Sequence, residues 1–233
     1  MDEHVLKTPG GAPAFPNSLS AMSAQPVIAA APVVGRRGVV AGVGRDAAYV
    51  VDGGFVMVLT VAPPVLPNGA QVARLPPSGA EVVVGADDVW DPSIRLSPPT
   101  IAAEAGDDDF VRALTARDPA GAARAGARVI GRGPGLTPEG DDLVCGVAAV
   151  VAASAWPDAI KTEWLAALIG HDLRRRTTAL SATLLELAVR GMGPEPLQAW
   201  LAGDASALAR LEAIGHSTGR AIARGAAIAL HNV

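Results

Sequence analysis

The chain has 233 residues, of which 50% are apolar, so it can bury the core of one large domain or two small ones. Its formal net charge of -4 at pH 7 excludes the basic surface field that sequence-independent binding to nucleic acid requires. The single cysteine, Cys145, can form neither an intrachain disulfide nor a thiolate cluster, which is typical of a reducing compartment. We therefore expect a cytoplasmic protein that has no nucleic-acid partner.

The amino-terminal region, residues 1–32, mixes Pro, Gly, Ser and Ala without periodicity and is predicted to be a flexible arm. Its apolar stretch, 26–34, is short, contains two prolines and follows Asp2 and Glu3, which is unlike a signal peptide. The longest other apolar run, 143–156, is shorter than the ~18 residues that a transmembrane helix needs. The sequence therefore predicts no association with a membrane.

Residues 33–98 are predicted to form a β-rich domain, because short β-branched runs alternate there with turn residues. Turns are indicated at 52–54 (DGG), 67–69 (PNG) and 77–79 (PSG). The pattern favours an antiparallel sheet or a small barrel. The predicted strands are 38–42, 48–51, 55–61, 71–74 and 81–84.

Residues 99–233 are rich in Ala, Leu and Arg at helical spacing and are predicted to form a helical domain. Strands followed by helices indicate an α+β fold rather than alternating βαβ units. The predicted helices are 107–116, 119–129, 138–154, 158–175, 178–190, 195–201, 205–214 and 219–231.

A glycine-rich segment, residues 131–142 (GRGPGLTPEGDD), precedes the most apolar of these helices. Thr137 suits the N-cap and Pro138 the first helical position, where its missing N–H costs nothing. Free amides at such a helix start bind anions, and Arg132 adds a forked donor. The segment therefore predicts a site for phosphate or carboxylate. Its expected contacts are Arg132, Gly133, Gly135, Leu136, Thr137 and Gly140.

Two adjacent carboxylates, Asp141 and Asp142, fall in the first turns of that helix and allow several interpretations. They can offset the helix dipole without any other role. They can also hold Mg²⁺ against a phosphate, accept hydrogen bonds from an amide substrate, or act as an acid/base pair. Because consecutive helical residues diverge by about 100°, only one of them is expected to face the site.

The run GxGPGLTPxGDD resembles the signature of the AllH-like family, a proposed subunit of oxamate carbamoyltransferase in allantoin catabolism. Segments 176–191 and 215–219 also resemble that family, and the likeness extends from about residue 33 to the carboxyl end. The resemblance implies a small anionic substrate and companion subunits. The candidate catalytic residues within these segments are Asp141, Asp142 and His216.

The second segment places Arg176 at a helix end, followed by the hydroxyls of Thr177, Thr178 and Ser181. Such a cluster can bind an anion. A solvated basic helix terminus and ordinary caps explain the same residues. Arg176, Thr177 and Ser181 are therefore candidate ligand contacts with a structural alternative.

The third segment, residues 215–219 (GHSTG), fits the G-x-S-x-G pattern of a hydrolase nucleophile elbow centred on Ser217. An elbow needs a strand before the serine, whereas the residues before this segment have a helical pattern. The favoured interpretation is that Ser217 or Thr218 caps the last helix, with His216 forming a wall of the ligand site. A purely structural His216 is the alternative.

Three functions follow from these features. The first is a subunit that transfers a carbamoyl group from carbamoyl phosphate to oxamate, with no covalent nucleophile and with Mg²⁺ as an optional cofactor. The second is a non-catalytic assembly subunit that supplies one wall of a shared active site. The third is a small-molecule hydrolase that uses Ser217. The sequence is also compatible with a homo-oligomer.

Overall fold

The computed structural model describes residues 28–96 and 108–233, and within these ranges seven strands form one mixed β-sheet. The order of the strands across the sheet is β6-β2-β3-β4-β5-β1-β7. Helices follow the sheet in the chain, so the predicted α+β class is confirmed. The strands are β1 (Ile28–Ala30), β2 (Arg37–Val43), β3 (Ala47–Asp52), β4 (Phe55–Thr60), β5 (Gly69–Gln71), β6 (Glu81–Val83) and β7 (Asp88–Trp90).

Strands β2, β3 and β4 form an antiparallel meander, as the turn signals predict. The turn between β3 and β4 contains Gly53 and Gly54 at φ 55° and 109°, a conformation that other residues rarely adopt. Asp52 and Phe55 pair directly across this turn. The glycines therefore fix the register of the hairpin.

The sheet differs from the prediction in four places, the first being β7, which is absent from the predicted strands. The sheet is mixed rather than antiparallel, because β4 pairs with β5 and β1 pairs with β7 in parallel. The strand predicted at 71–74 ends at Gln71 instead. Residues 28–32, predicted to belong to the arm, form β1 and the first part of a 3₁₀ turn that ends at Val33; the rest of the predicted arm, residues 1–27, lies outside the described residues. Strands β1 and β7 are only three residues long, so pairing with neighbouring strands and not local pattern defines them.

Strand β4 is buried on both faces from Phe55 to Leu59. Val56 and Val58 pack into a core shared with the helices, whereas Met57 packs into a second core on the opposite side of the sheet. Alternation of side chains along the strand sends neighbouring residues to opposite faces. The sheet therefore separates two apolar clusters.

The helices mostly match their predicted positions. The exception is the predicted helix 158–175, which is interrupted at Gly170 because that residue has φ 69°. The first residue of the predicted helix 107–116 lies outside the described residues. The helices are α1 (Asp108–Thr115), α2 (Pro119–Val129), α3 (Glu139–Ala153), α4 (Asp158–Ile169), α5 (Leu173–Arg176), α6 (Ala179–Ala188), α7 (Glu195–Leu201), α8 (Ala207–Glu212) and α9 (Thr218–Leu230).

Helix α3 lies at the centre of the helical layer and packs closely on α9. A Cβ added to Gly146 would lie 2.1 Å from the carbonyl oxygen of Ile222, and one added to Gly225 would lie 2.0 Å from that of Leu143. Glycine is therefore required at this crossing. Within residues 28–96 and 108–233, no helix has the length and apolar character to cross a bilayer.

Helix α6 joins the helical layer to the sheet. The hydroxyl of Thr183 accepts a hydrogen bond of 3.0 Å from the amide of Val56 in β4. This bond is buried, and the same hydroxyl donates to the carbonyl of Ala179 one turn earlier. The helices that carry the glycine-rich segment are thus anchored to the sheet through α6, which packs on α3.

Candidate functional site

The glycine-rich segment forms a loop, residues 131–137, that is exposed over most of its length. Gly131, Gly133 and Gly135 have φ of 81°, 123° and 94°. A Cβ on Gly133 would approach the amide nitrogen of Glu139 to 2.8 Å, so the loop folds back closely on the start of α3. The side chain of Leu136 is 57% exposed.

Helix α3 begins at Glu139, one residue later than the sequence suggests. Its N-cap is Pro138, and no side chain caps it. The expected N-cap role of Thr137 is therefore wrong. Its hydroxyl lies instead 2.9 Å from the hydroxyl of Thr218, the first residue of α9, so a contact between helices replaces the local cap.

The amides at the start of α3 are largely used within the protein. The amide of Gly140 donates to the carbonyl of Arg132 at 3.0 Å, and those of Asp141 and Asp142 donate to the carbonyl of Pro138. Gly140, an expected ligand contact, therefore has no free amide to offer. The anion site expected at the helix start itself is not formed by these groups.

The loop before the helix has free donors. Among the described residues, the amides of Gly133, Gly135, Leu136 and Thr137 donate to no protein acceptor, and the side chain of Arg132 makes no ion pair. Arg132, Gly133 and Gly135 are exposed. The donors available to an anion therefore lie along the loop, upstream of the helix.

Asp141 is 1% exposed, and both of its carboxylate oxygens accept hydrogen bonds from protein donors. Its Oδ1 accepts a bond of 2.6 Å from the amide of Gly131, and its Oδ2 accepts a bond from the hydroxyl of Thr177. A buried carboxylate is stable only when it is hydrogen-bonded in this way. Asp141 thus links the start of the loop to the junction between α5 and α6.

Asp142 is also 1% exposed, but its Oδ2 has no hydrogen-bond partner among the described residues. Burial raises the pKa of this carboxyl to about 7, and the charges of Asp141 and Glu139 add to the increase. The hydroxyls of Thr218 and Thr137 oppose it. At neutral pH, Asp142 is therefore a mixture of acid and carboxylate, as a proton-transfer group must be.

The amino-terminal ends of α3, α6 and α9 meet at this loop. Thr178, the N-cap of α6, accepts a bond from the amide of Ser181 and donates to the carbonyl of Leu136 at 2.6 Å. The Thr137–Thr218 contact joins the loop to α9. All three sequence segments singled out for chemistry therefore come together, although up to 81 residues separate the paired groups.

Comparison with known families agrees with this grouping. Residues 129–230, which span the three segments, match the family model described as oxamate carbamoyltransferase subunit AllH. Over those residues the chain resembles the AllH family. The predicted resemblance is thereby confirmed for this part of the chain. No curated protein matches the chain, and no solved structure matches it.

Arg176 takes a different position in the AllH-like region from the one expected. Its guanidinium donates to the carbonyls of Gly126 at 2.9 Å and Ile169 at 3.4 Å, near the ends of α2 and α4, and lies 3.6 Å from Asp172. Only its main chain reaches the loop, because an added Cβ on Gly131 would meet the Arg176 carbonyl oxygen at 2.1 Å. The side chain therefore joins helix ends and is not directed at the loop.

The third segment, residues 215–219, lies at the start of α9 and does not form a nucleophile elbow. Ser217 is the N-cap of α9 but its side chain makes no capping bond, and His216 is exposed. The element before them is the helix α8, not the strand that a nucleophile elbow requires. Thr218, rather than Ser217, is the residue of this segment that contacts the loop.

The residues present do not fit the suggested Mg²⁺ site. Both oxygens of Asp141 already accept protein hydrogen bonds, and no group of three His, Cys, Asp or Glu side chains in the described ranges is arranged to hold a metal ion. The two adjacent aspartates diverge: Asp141 faces Thr177, whereas Asp142 lies by Thr137 and Thr218. The expectation that they face different directions agrees with helix geometry.

Sequence reasoning missed two groups in this arrangement, the amide of Gly131 and the carbonyl of Leu136. Both are main-chain groups, so residue type gives no direct sign of them. The indirect signs are the glycine at 131, which has φ 81°, and the paired threonines 177 and 178. A positive-φ glycine close to a hydroxyl pair indicates a loop tied down through its backbone.

Proposed function

We propose that this protein is a subunit of a carbamoyl-transfer enzyme that converts carbamoyl phosphate and oxamate to oxalurate and phosphate. The observation that carries the proposal is that the match to the AllH family model covers the three segments that meet at the loop. The family's description supplies the reaction. The loop supplies chemistry that suits it.

Both substrates are anions, and the loop has donors for an anion. The amides of Gly133, Gly135 and Leu136 donate to no protein acceptor among the described residues, and the exposed Arg132 adds a forked guanidinium. Backbone amides and arginine are the usual ligands of phosphate and carboxylate groups. In the proposal they hold the phosphate of carbamoyl phosphate and stabilise its charge as it leaves.

The reaction also requires removal of a proton. The amide nitrogen of oxamate bonds to the carbamoyl carbon, the bond from that carbon to the phosphate oxygen breaks, and the nitrogen loses a proton. Asp142, with its pKa raised to about 7, suits proton acceptance at neutral pH. Because the carboxyl is buried beside the bonded hydroxyls of Thr137 and Thr218, the proton would reach it through one of them.

A second candidate has its own supporting observation. The loop is exposed and Leu136 is 57% accessible, so the donors lie on an open face instead of in an enclosed pocket. Catalytic sites exclude water to strengthen their electrostatic interactions. A companion subunit that closes over the loop would complete the site, in which case this chain supplies one wall and is inactive alone.

The test is the formation of oxalurate from carbamoyl phosphate and oxamate, measured with the purified protein alone and with companion subunits co-purified from its source. Activity in either preparation that is lost in Arg132→Ala supports the proposal. Activity only in the assembled preparation selects the shared site. No oxalurate in either preparation would refute the carbamoyl-transfer proposal.

A further inference from the structure

The loop is held at both ends by two consecutive residues. Thr178 donates directly to the carbonyl of Leu136 at the far end, and Thr177 donates to Asp141, which in turn accepts from the amide of Gly131 at the near end. The dipeptide 177–178 lies between α5 and α6 and so belongs to the helical layer. The amides between the two fixed points remain free.

We propose that Asp141 is the positioning residue of this loop: its carboxylate clamps Gly131 to Thr177 and thereby holds the free amides in their ligand-binding arrangement. This role differs from the catalytic and metal roles that its sequence position suggests. For its effect on catalysis, the inference rests on the proposed function. The effect of Asp141 on the loop is independent of the proposed function.

The surroundings of Asp141 support a clamp over a simple dipole contact. The side chain is 1% exposed, and it forms no ion pair among the described residues, so two hydrogen bonds carry most of its stabilisation. A carboxylate that served only the helix dipole would gain the same benefit at the surface. Asp158, in the first turn of α4, is such a surface carboxylate: its side chain is 96% exposed and its ion-pair partner, Lys161, lies one turn away in the same helix.

Gly131 also packs directly against the segment that contains Thr177. An added Cβ at this glycine would lie 2.1 Å from the carbonyl oxygen of Arg176, the residue before Thr177. The start of the loop is therefore in van der Waals contact with the same segment to which Asp141 bonds it. Loss of the carboxylate would release Gly131 while Thr178 still held Leu136.

The test compares Asp141→Ala with Asp141→Asn in the full-length protein. The asparagine can accept from Gly131 with its oxygen and donate to Thr177 with its nitrogen, whereas alanine can do neither. The readout is hydrogen exchange of the Gly131 amide, followed by NMR without substrate. We expect exchange to accelerate by at least about tenfold in Asp141→Ala and to change by less than about threefold in Asp141→Asn, because alanine removes the bond to Gly131 whereas asparagine keeps a neutral one.

Asp158→Ala is the matched control, because it removes a first-turn carboxylate that holds no loop, and it should leave Gly131 exchange unchanged. Thr177→Val is the second variant if Asp141→Ala fails to fold; it should accelerate Gly131 exchange, and Thr177→Ser should not. Unchanged Gly131 exchange in the folded variants would overturn the clamp, as would equal acceleration in Asp158→Ala.

The kinetic readout separates positioning from chemistry. In the assembled enzyme, Asp141→Ala should raise the KM for carbamoyl phosphate by about tenfold with kcat changed less than about threefold, and Asp141→Asn should restore KM. A loss confined to kcat would contradict positioning. If the wild-type assembly forms no oxalurate, the proposed function fails, and Gly131 exchange still decides whether Asp141 clamps the loop.

Discussion

The hydroxyls of Thr137 and Thr218 lie 2.9 Å apart and bond the loop before α3 to the first residue of α9. The same two hydroxyls lower the pKa of Asp142 against the effect of burial. The two hydroxyls therefore both join the loop to α9 and lower the pKa of a buried carboxyl.

Removal of this hydroxyl pair should reveal an energetic coupling. We expect Thr137→Val and Thr218→Val to show non-additive effects on the free energy of unfolding, with an interaction term of about 0.5–1.5 kcal/mol, because either change alone breaks the bond. The measurement is a double-mutant cycle by urea denaturation. Strict additivity of the two effects would mean that the hydroxyls do not bond in solution.

Asp142 should make the protein less stable as pH rises. The pKa is about 7 in the folded state against an ordinary value of 3.8, so the folded protein binds the proton more tightly than the unfolded chain. The free energy of unfolding therefore falls as the pH rises from 3.8 to about 7, and it is level above that range. The total decrease is at most about 4 kcal/mol for a shift of about three pKa units.

Asp142→Asn should flatten this dependence. The difference in stability between the variant and wild type should be more favourable to the variant at pH 8 than at pH 5. The measurement is the urea midpoint of both proteins at each pH. Asp158→Asn, at a 96% exposed position, is the control for the loss of a first-turn carboxylate as such. An Asp142→Asn protein with the wild-type slope would show that another group titrates.

Two helix N-caps provide a matched pair of substitutions. Thr178 caps α6 through a bond of 3.1 Å from the amide of Ser181, whereas the side chain of Ser217 makes no capping bond to α9. Thr178→Ala, which removes both this cap and the bond to the Leu136 carbonyl, should therefore cost about 1–2 kcal/mol of unfolding free energy, and Ser217→Ala should cost less than about 0.5 kcal/mol. Thermal denaturation of both variants tests the difference.

Ser217→Ala should also keep the proposed carbamoyl-transfer activity, because the segment before Ser217 is helical and does not form a nucleophile elbow. Oxalurate formation in the assembled enzyme is the measurement. Complete loss of oxalurate formation in a folded Ser217→Ala protein would show that the Ser217 hydroxyl takes part in the reaction, against this expectation.

The crossing of α3 and α9 should not tolerate a methyl group. In Gly146→Ala the new Cβ would lie 2.1 Å from the carbonyl oxygen of Ile222, so the helices must separate, at a cost of about 1–3 kcal/mol or more. Gly85→Ala is the control, because nothing lies within 4 Å of a Cβ at that exposed position. A Gly146→Ala melting temperature equal to that of Gly85→Ala would rule out this close crossing.

The sequence predicted most of the fold because its signals are local. The helix 119–129, for example, has the same bounds in the structure, since Asp118 caps it and Pro119 suits its first turn. Strand β1 was missed because three residues held by β5 and β7 have no pattern of their own. Pairing between distant strands decides such elements, and it leaves little trace in sequence.

The candidate site was predictable in its residues more than in its contacts. The sequence identified the three segments. In the structure, however, the amide of Gly140 donates to the carbonyl of Arg132, and the Arg176 guanidinium donates to the carbonyl of Gly126 near the end of α2. Both outcomes depend on which acceptors the fold brings near. The raised pKa of Asp142 has the same origin, because burial is a property of the packed helix and not of the motif.

The free amides of the loop are the groups proposed to bind the anion, and a titration with inorganic phosphate tests that binding directly. In ¹H–¹⁵N spectra of the full-length protein, we predict saturable shifts at Gly133, Gly135 and Leu136, and loss of these shifts in Arg132→Ala. The turn glycines Gly53 and Gly54 provide the reference for non-specific salt effects. Loop amides that shift no more than those two glycines would contradict the claim that this loop binds an anion.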